Sequence, residues 1–291
     1  MEIKRGIMLH NQSAAGNDGV SINEGVEHYT AQDISQVNYG GLTFLPSFEA
    51  DAFVPRLNWR NINDRERSIL KANDQCSEAN TIYIGDIPGN LTHLFKQLAL
   101  EECKDRKEVF EKFRSRPALT AAINQAAEKF LQTKSNGKPF HFHYLGSNLP
   151  NLKVVACDTT VMAANYREQD KRYMGIHNDG TKYVSTHRIH TLGNRLTINL
   201  GKETRSFLFV NLTMTQALNM LTKKLGPAKD EIDIINIAGY FFRHFPDYPV
   251  IKIDQKPYQY YIAPTDNCFH DGSTAGMTAL DIIMVYFGSF R

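Results

Sequence analysis

The sequence predicts an α+β fold that is mainly β: a sandwich or barrel of strands with a helical support ahead of it in the chain. Three observations predict it. From Pro139 onward, apolar stretches of strand length are separated by turn residues: FHFHYLG, LKVVACD, TVMAANY, RLTINLG, SFLFVNLTM, YPVIKID, YQYYIAP and DIIMVYFGSF. Residues 85–135 instead place apolar residues at helical spacing. No repeat, low-complexity tract or Pro/Ser-rich linker divides the 291 residues, so one domain over 1–291 is expected.

The elements follow in order. Residues 1–84 mix short apolar alternations with turn residues, as in VNYGGLTFLPSF, and predict strands and loops. In the helical block, Asn90 or Thr92 is placed to cap LTHLFKQLALEECKD; KEVFEKF follows, and Pro117 opens ALTAAINQAAEKFLQT. SNGK at 135–138 ends the block, which makes 1–138 an N-terminal region of strands and support helices. The strand set of 139–291 is interrupted once, over about 214–247, by the helical TQALNMLTKKLG, which stops at Gly226-Pro227. Helices first and antiparallel strands afterwards suit helices packed on one side of a β core. The 1–84 region and the 214–247 insertion are expected to form the pocket wall and lid, because long connections carry specificity on a rigid scaffold.

Composition excludes several classes. A net charge of +2 without a long basic run argues against a nucleic-acid partner. No apolar stretch approaches the roughly 18 residues of a membrane span, and the N-terminal stretch lacks a secretory apolar region, so a cytoplasmic protein is expected. Cys76, Cys103, Cys157 and Cys268 show no CxxC spacing and are expected to be free thiols. Motifs for dinucleotides (GxGxxG), nucleoside triphosphates (GxxxxGK[ST]) and hydrolase elbows (GxSxG) are absent from the sequence.

Three side chains carry chemistry: His177 and Asp179 in GIHNDG, and His270 in PTDNCFHDGST. On a strand, residues i and i+2 point the same way, so His177 and Asp179 can chelate one ion. A distant strand must then supply His270. Two neutral imidazoles and one carboxylate hold a divalent metal on one face and leave the other open, which suits non-haem Fe(II) with O2 and a co-substrate. An H-x-D triplet alone is weak evidence. Its context strengthens it: Gly175 and Gly180 flank the motif, and one more apolar strand follows His270.

With these residues, 139–290 resembles the Fe(II)/2-oxoglutarate-dependent oxygenases, and the helices at 85–135 are similar to that family's usual support. The resemblance implies a double-stranded β-helix (jelly-roll, cupin-like) core. It implies His177, Asp179 and His270 as metal ligands and catalytic centre, with Fe(II) as the metal and 2-oxoglutarate and O2 as co-substrates. The substrate it implies is a small polar molecule, such as an amino acid or specialised metabolite, that is hydroxylated, desaturated or cyclised. Aspartate at 179 disfavours the related halogenases, which have a small residue there.

One family feature is missing. Many members begin the last strand with a basic residue, whereas here that stretch reads AGMTALDIIM. The co-substrate's far carboxylate wants a guanidinium or ammonium group in a dry pocket. Arg195 is the first choice, since some branches carry the basic residue on an earlier strand; Arg291 is the second, and Ser273 and Thr274 could add a hydroxyl. His141, His143, His187 and His190 are read as core-edge or pocket residues, and Tyr258, Tyr260 and Tyr261 as packing on both faces of a strand. Two other classes stay open on the residues: a metal-dependent hydrolase or isomerase on a cupin-like barrel, and a non-catalytic β-sandwich binding module.

Overall fold

A computed structural model describes residues 2–13, 19–73, 76–163, 165–180, 183–226 and 232–291. The chain opens with short strands β1 (Met8–Asn11), β2 (Val20–Ile22), β3 (Val26–His28), β4 (Val37–Tyr39), β5 (Leu42–Phe44), β6 (Ser47–Pro55) and β7 (Arg60–Asn61). Helix α1 (Asp64–Leu70) and strand β8 (Thr81–Asp86) lead to α2 (Gly89–Leu98), α3 (Arg106–Arg114) and α4 (Pro117–Ser135). Strands β9 (His141–Asn148), β10 (Arg172–Gly175), β11 (Asn194–Asn199) and β12 (Arg205–Phe209) follow. Helices α5 (Met214–Leu225) and α6 (Ile237–His244) precede the last strands, β13 (Ile251–Gln255), β14 (Gln259–Ala263), β15 (His270–Ser273) and β16 (Asp281–Gly288).

Two sheets dominate, ordered β1-β8-β14-β11-β16-β9 and β15-β12-β13-β2-β7. From β11 onward the chain passes between them: β11, β14 and β16 belong to the six-stranded sheet, and β12, β13 and β15 to the five-stranded one. Neighbouring strands are antiparallel except β1 against β8. Two-residue periodicity then sorts the side chains. Ile82, Ile84, Tyr261 and Ala263 from one sheet meet Val20, Ile22, Phe207, Phe209, Ile251 and Ile253 from the other in one apolar cluster. Tyr261 stacks on Phe207 across the gap at 4.2 Å, a contact of about 0.5–1.5 kcal/mol beyond its buried area. The opposite face of the six-stranded sheet, with Tyr83, Leu196, Ile198, Tyr260 and Ile262, packs in a second cluster with Leu91, Phe95, Ile123, Phe130 and Leu131 of α2 and α4.

A buried ion pair ties the sheets together. Arg205 of β12, 2% exposed, donates from Nε to both carboxylate oxygens of Asp281 on β16, at 3.0 and 3.2 Å, and from Nη1 to Gln255 Oε1 at 3.1 Å.

The structure departs from the sequence expectations in places. The first of the three expected helices is shorter than its segment: α2 ends at Leu98, and Pro88, rather than Asn90 or Thr92, takes its N-cap position, with no side-chain capping bond. LKVVACD and the described residues of TVMAANY do not form strands. The apolar content of LKVVACD reflects burial of Val154 and Val155, while the amides of Val155 and Ala156 donate to the Asp271 carboxylate instead of to a ladder; in TVMAANY, Val161 is exposed. Helix α5 ends at Leu225 with Gly226 at a positive φ of 62°; Pro227 lies outside the described residues. No described helix is long and apolar enough to cross a membrane.

Candidate metal centre

His177 lies just past β10. Gly175 sets its approach with a φ of 74° that a side chain would strain, and a Cβ there would fall 2.4 Å from the Phe53 carbonyl oxygen. The chain then pairs with the edge of β15: His177 N donates to His270 O at 3.1 Å, and His270 N to His177 O at 2.6 Å. This antiparallel bridge puts the two imidazoles side by side, with ring centroids 4.7 Å apart. Asp179, two residues on, is held by its amide donating to Thr265 O at 3.2 Å.

The three donors converge. Asp179 Oδ1 is 3.5 Å from His177 Nε2, Asp179 Oδ2 is 3.3 Å from His270 Nε2, and all three donor atoms lie within 4.8 Å of one another. Each imidazole turns its other nitrogen to a backbone carbonyl: His177 Nδ1 lies 2.8 Å from Gly175 O, and His270 Nδ1 lies 3.3 Å from Cys268 O. A carbonyl only accepts, so each Nδ1 keeps its proton and each Nε2 is the nitrogen that can give a lone pair to an ion at the common point. That tautomer is the ligating one.

Electrostatics agree with a cation site. Burial alone would lower His177, but Asp179, Asp271 and the Gly175 carbonyl raise it to about 9. Burial alone would raise Asp179, but His270, His177 and Arg195 hold it well below the usual carboxylate range. The positive charge between the donors is then a proton, in the place a divalent ion would take.

Arg195 on β11 is beside this group. Its Nη1 lies 3.1 Å from Asp179 Oδ2 and 2.8 Å from Asp266 Oδ2, and it also donates to the Thr265 hydroxyl. The guanidinium stands 5.3 Å from the ring centroid of Phe287, the β16 residue in register with Arg195. The other expected anchors lie elsewhere. Arg291 is exposed, and its amide donates to Lys134 O of α4. The Ser273 hydroxyl donates to Leu152 O and the Thr274 hydroxyl to Leu149 O, so both tie down the 149–152 segment.

Strand β9 supplies a wall with no H-x-D-like signal in the sequence. Its register against β16 pairs Tyr144 with Val285 and Phe142 with Tyr286, leaving His143 as an extra residue in a β-bulge. Phe142 meets Tyr286 on the helical face, and His141 meets Phe287 on the other. His143 follows at 6.4 Å from His141 and 5.1 Å from Tyr144. Burial and the nearby Arg195 lower His143, and burial, followed by Tyr261 and Asp179, raises Tyr144. Tyr144 is nonetheless 44% exposed. The 214–247 insertion reaches the same loop, where Asn178 Nδ2 donates to Ile234 O at 3.0 Å.

The remaining candidates divide between core and surface. Cys268 is buried in the inter-sheet cluster, and all four cysteines are free. His187 and His190 are exposed, and are not the core-edge or pocket residues expected. Tyr260 packs on Phe130 and Tyr261 on Phe207, on opposite faces of β14.

No family model and no curated protein matches the chain. Among solved structures, it is similar to the apo form of the Kdo hydroxylase KdoO, a non-heme Fe(II) alphaketoglutarate-dependent dioxygenase, at TM-score 0.40 and 13% identity over 73% of this chain and 80% of that one. The same hydroxylase with cobalt(II) gives 0.39 and 13%, and with succinate and Fe(III) 0.40 and 12%, over the same shares.

Proposed function

We propose that the chain is a single-domain, non-haem Fe(II)/2-oxoglutarate-dependent oxygenase acting on a small polar molecule. The observation that carries this reading is the convergence of the His177 and His270 Nε2 atoms with the Asp179 carboxylate, both distal nitrogens being committed to backbone carbonyls. The strand order supports a double-stranded β-helix: β9-β16-β11-β14 faces β15-β12-β13, with the His177 bridge extending the second set.

The donor set fits the metal: two imidazoles and a carboxylate leave one side open. Bound there, Fe(II) with 2-oxoglutarate and O2 would supply the oxidation of an unactivated C–H bond, releasing succinate and CO2. The protein's part is orientation and electrostatics. His177, Asp179 and His270 hold the ion. Arg195 keeps Asp179 ionised and, next to Phe287, offers its guanidinium to the co-substrate's far carboxylate, in place of a basic residue on the last strand. His141, His143 and Tyr144 cluster on β9 and would offer ring N–H and phenol groups to orient a polar substrate.

The test is an anaerobic titration of the apo-protein with Fe(II) and 2-oxoglutarate, read by the weak visible charge-transfer band of a chelated keto acid. The expected result is a band in the parent that is lost in His177→Ala and Asp179→Ala. Fe(II) binding without a band would favour a hydrolase or isomerase; no metal binding would sink the centre.

A further inference from the structure

We propose that Asp271 is a positioning carboxylate behind His177, whose buried charge strengthens that imidazole's grip on a divalent metal ion. The inference rests on reading His177, Asp179 and His270 as a metal centre. Asp271 follows His270 on β15, and alternation along the strand sends the two side chains to opposite sides. His270 turns to the donors. Asp271 turns to the rear of His177, because the backbone bridge sets His177 against this edge of β15.

The carboxylate is rigid and sealed. Its Oδ1 accepts from the amides of Val155 and Ala156, each at 3.0 Å, and of Gly272 at 2.6 Å. Such donation favours the anion, against the burial that raises its pKa. Its Oδ2 is buried, has no hydrogen-bond partner among the described residues and lies 3.9 Å from His177 Nδ1. That distance is too long for a hydrogen bond, and Gly175 O already takes the Nδ1 proton.

A fixed, buried, half-satisfied carboxylate destabilises a fold unless positive charge stands beside it. An imidazole bound to a divalent ion is such a charge. The arrangement is one-sided: His270 has only the Cys268 carbonyl at its Nδ1. An effect of Asp271 should therefore appear at His177 and not at His270.

The experiment uses Co(II) as a spectroscopically visible probe on the full chain. In Asp271→Asn, the Co(II) dissociation constant is expected to rise by about 10- to 100-fold. In the Co(II) protein, the shifted exchangeable Nδ1–H resonance of His177 should move while that of His270 stays. Parent affinity with both resonances unmoved would overturn the proposal, leaving Asp271 only as a tie for residues 155 and 156. If Asp271→Asn fails to fold, Asp271→Ser removes the charge and keeps an acceptor for the same amides; the same loss is expected, and parent affinity would again overturn it. A parent that binds no Co(II) at all would remove the metal centre, and this inference with it.

Discussion

His177 must lose a proton before its Nε2 can bind a metal ion. Its pKa of about 9 in the metal-free chain lies above neutral pH, so binding displaces that proton. Apparent Co(II) affinity should therefore rise about tenfold per pH unit from pH 6.5 to 8.5, levelling near 9, with close to one proton released per ion. A flat profile by proton-release calorimetry would contradict the assignment of His177 as a ligand. Arg195→Ala should weaken 2-oxoglutarate binding by about 2 kcal/mol, roughly thirtyfold, while leaving Co(II) bound. The Kd for 2-oxoglutarate in the metal-loaded variant checks this. Gly175→Ala should disturb His177 itself, because a Cβ at that position meets the Phe53 backbone; reduced metal affinity together with lower stability is expected.

Among the elements, β12 and β16 are joined by the buried Arg205–Asp281 pair. Arg205→Met should destabilise the fold by about 3–5 kcal/mol, because it strands a buried carboxylate and leaves Gln255 without a donor. Replacing both partners with apolar residues should cost much less, and urea denaturation of the single and double variants distinguishes the two. The H-x-D motif was legible because it needs no tertiary context, whereas the short strands beside the triad, β10 (RYMG) and β15 (HDGS), carry too few apolar residues to form a run and were not. Nor was the β9 wall. A bulge is a property of register against a partner strand, so FHFHYLG shows paired histidines but not that His143 and Tyr144 share a face. LKVVACD shows the converse error: a buried apolar run whose amides are satisfied by a carboxylate 115 residues or more away reads as a strand.

For the whole molecule, metal binding is coupled to stability. At 100 times its Kd, Co(II) should stabilise the native state by about 2.7 kcal/mol. For a chain of this size that raises the melting temperature by about 4–5 °C, and His177→Ala should show no response. The helical support and the two-sheet core follow from periodicity in the sequence, whereas the pairing of Arg195 with Asp179 and Asp266 depends on which strands become neighbours. The bridge between His177 and His270 has a kinetic corollary. It closes a loop of more than ninety residues, a contact that chain entropy delays until most of the sheet is assembled. An ion held across it would arrive after the rate-limiting step of folding, so it should lengthen the lifetime of the native state without hastening its formation. In stopped-flow experiments, Co(II) should slow the unfolding limb of the chevron and leave the refolding limb where it is.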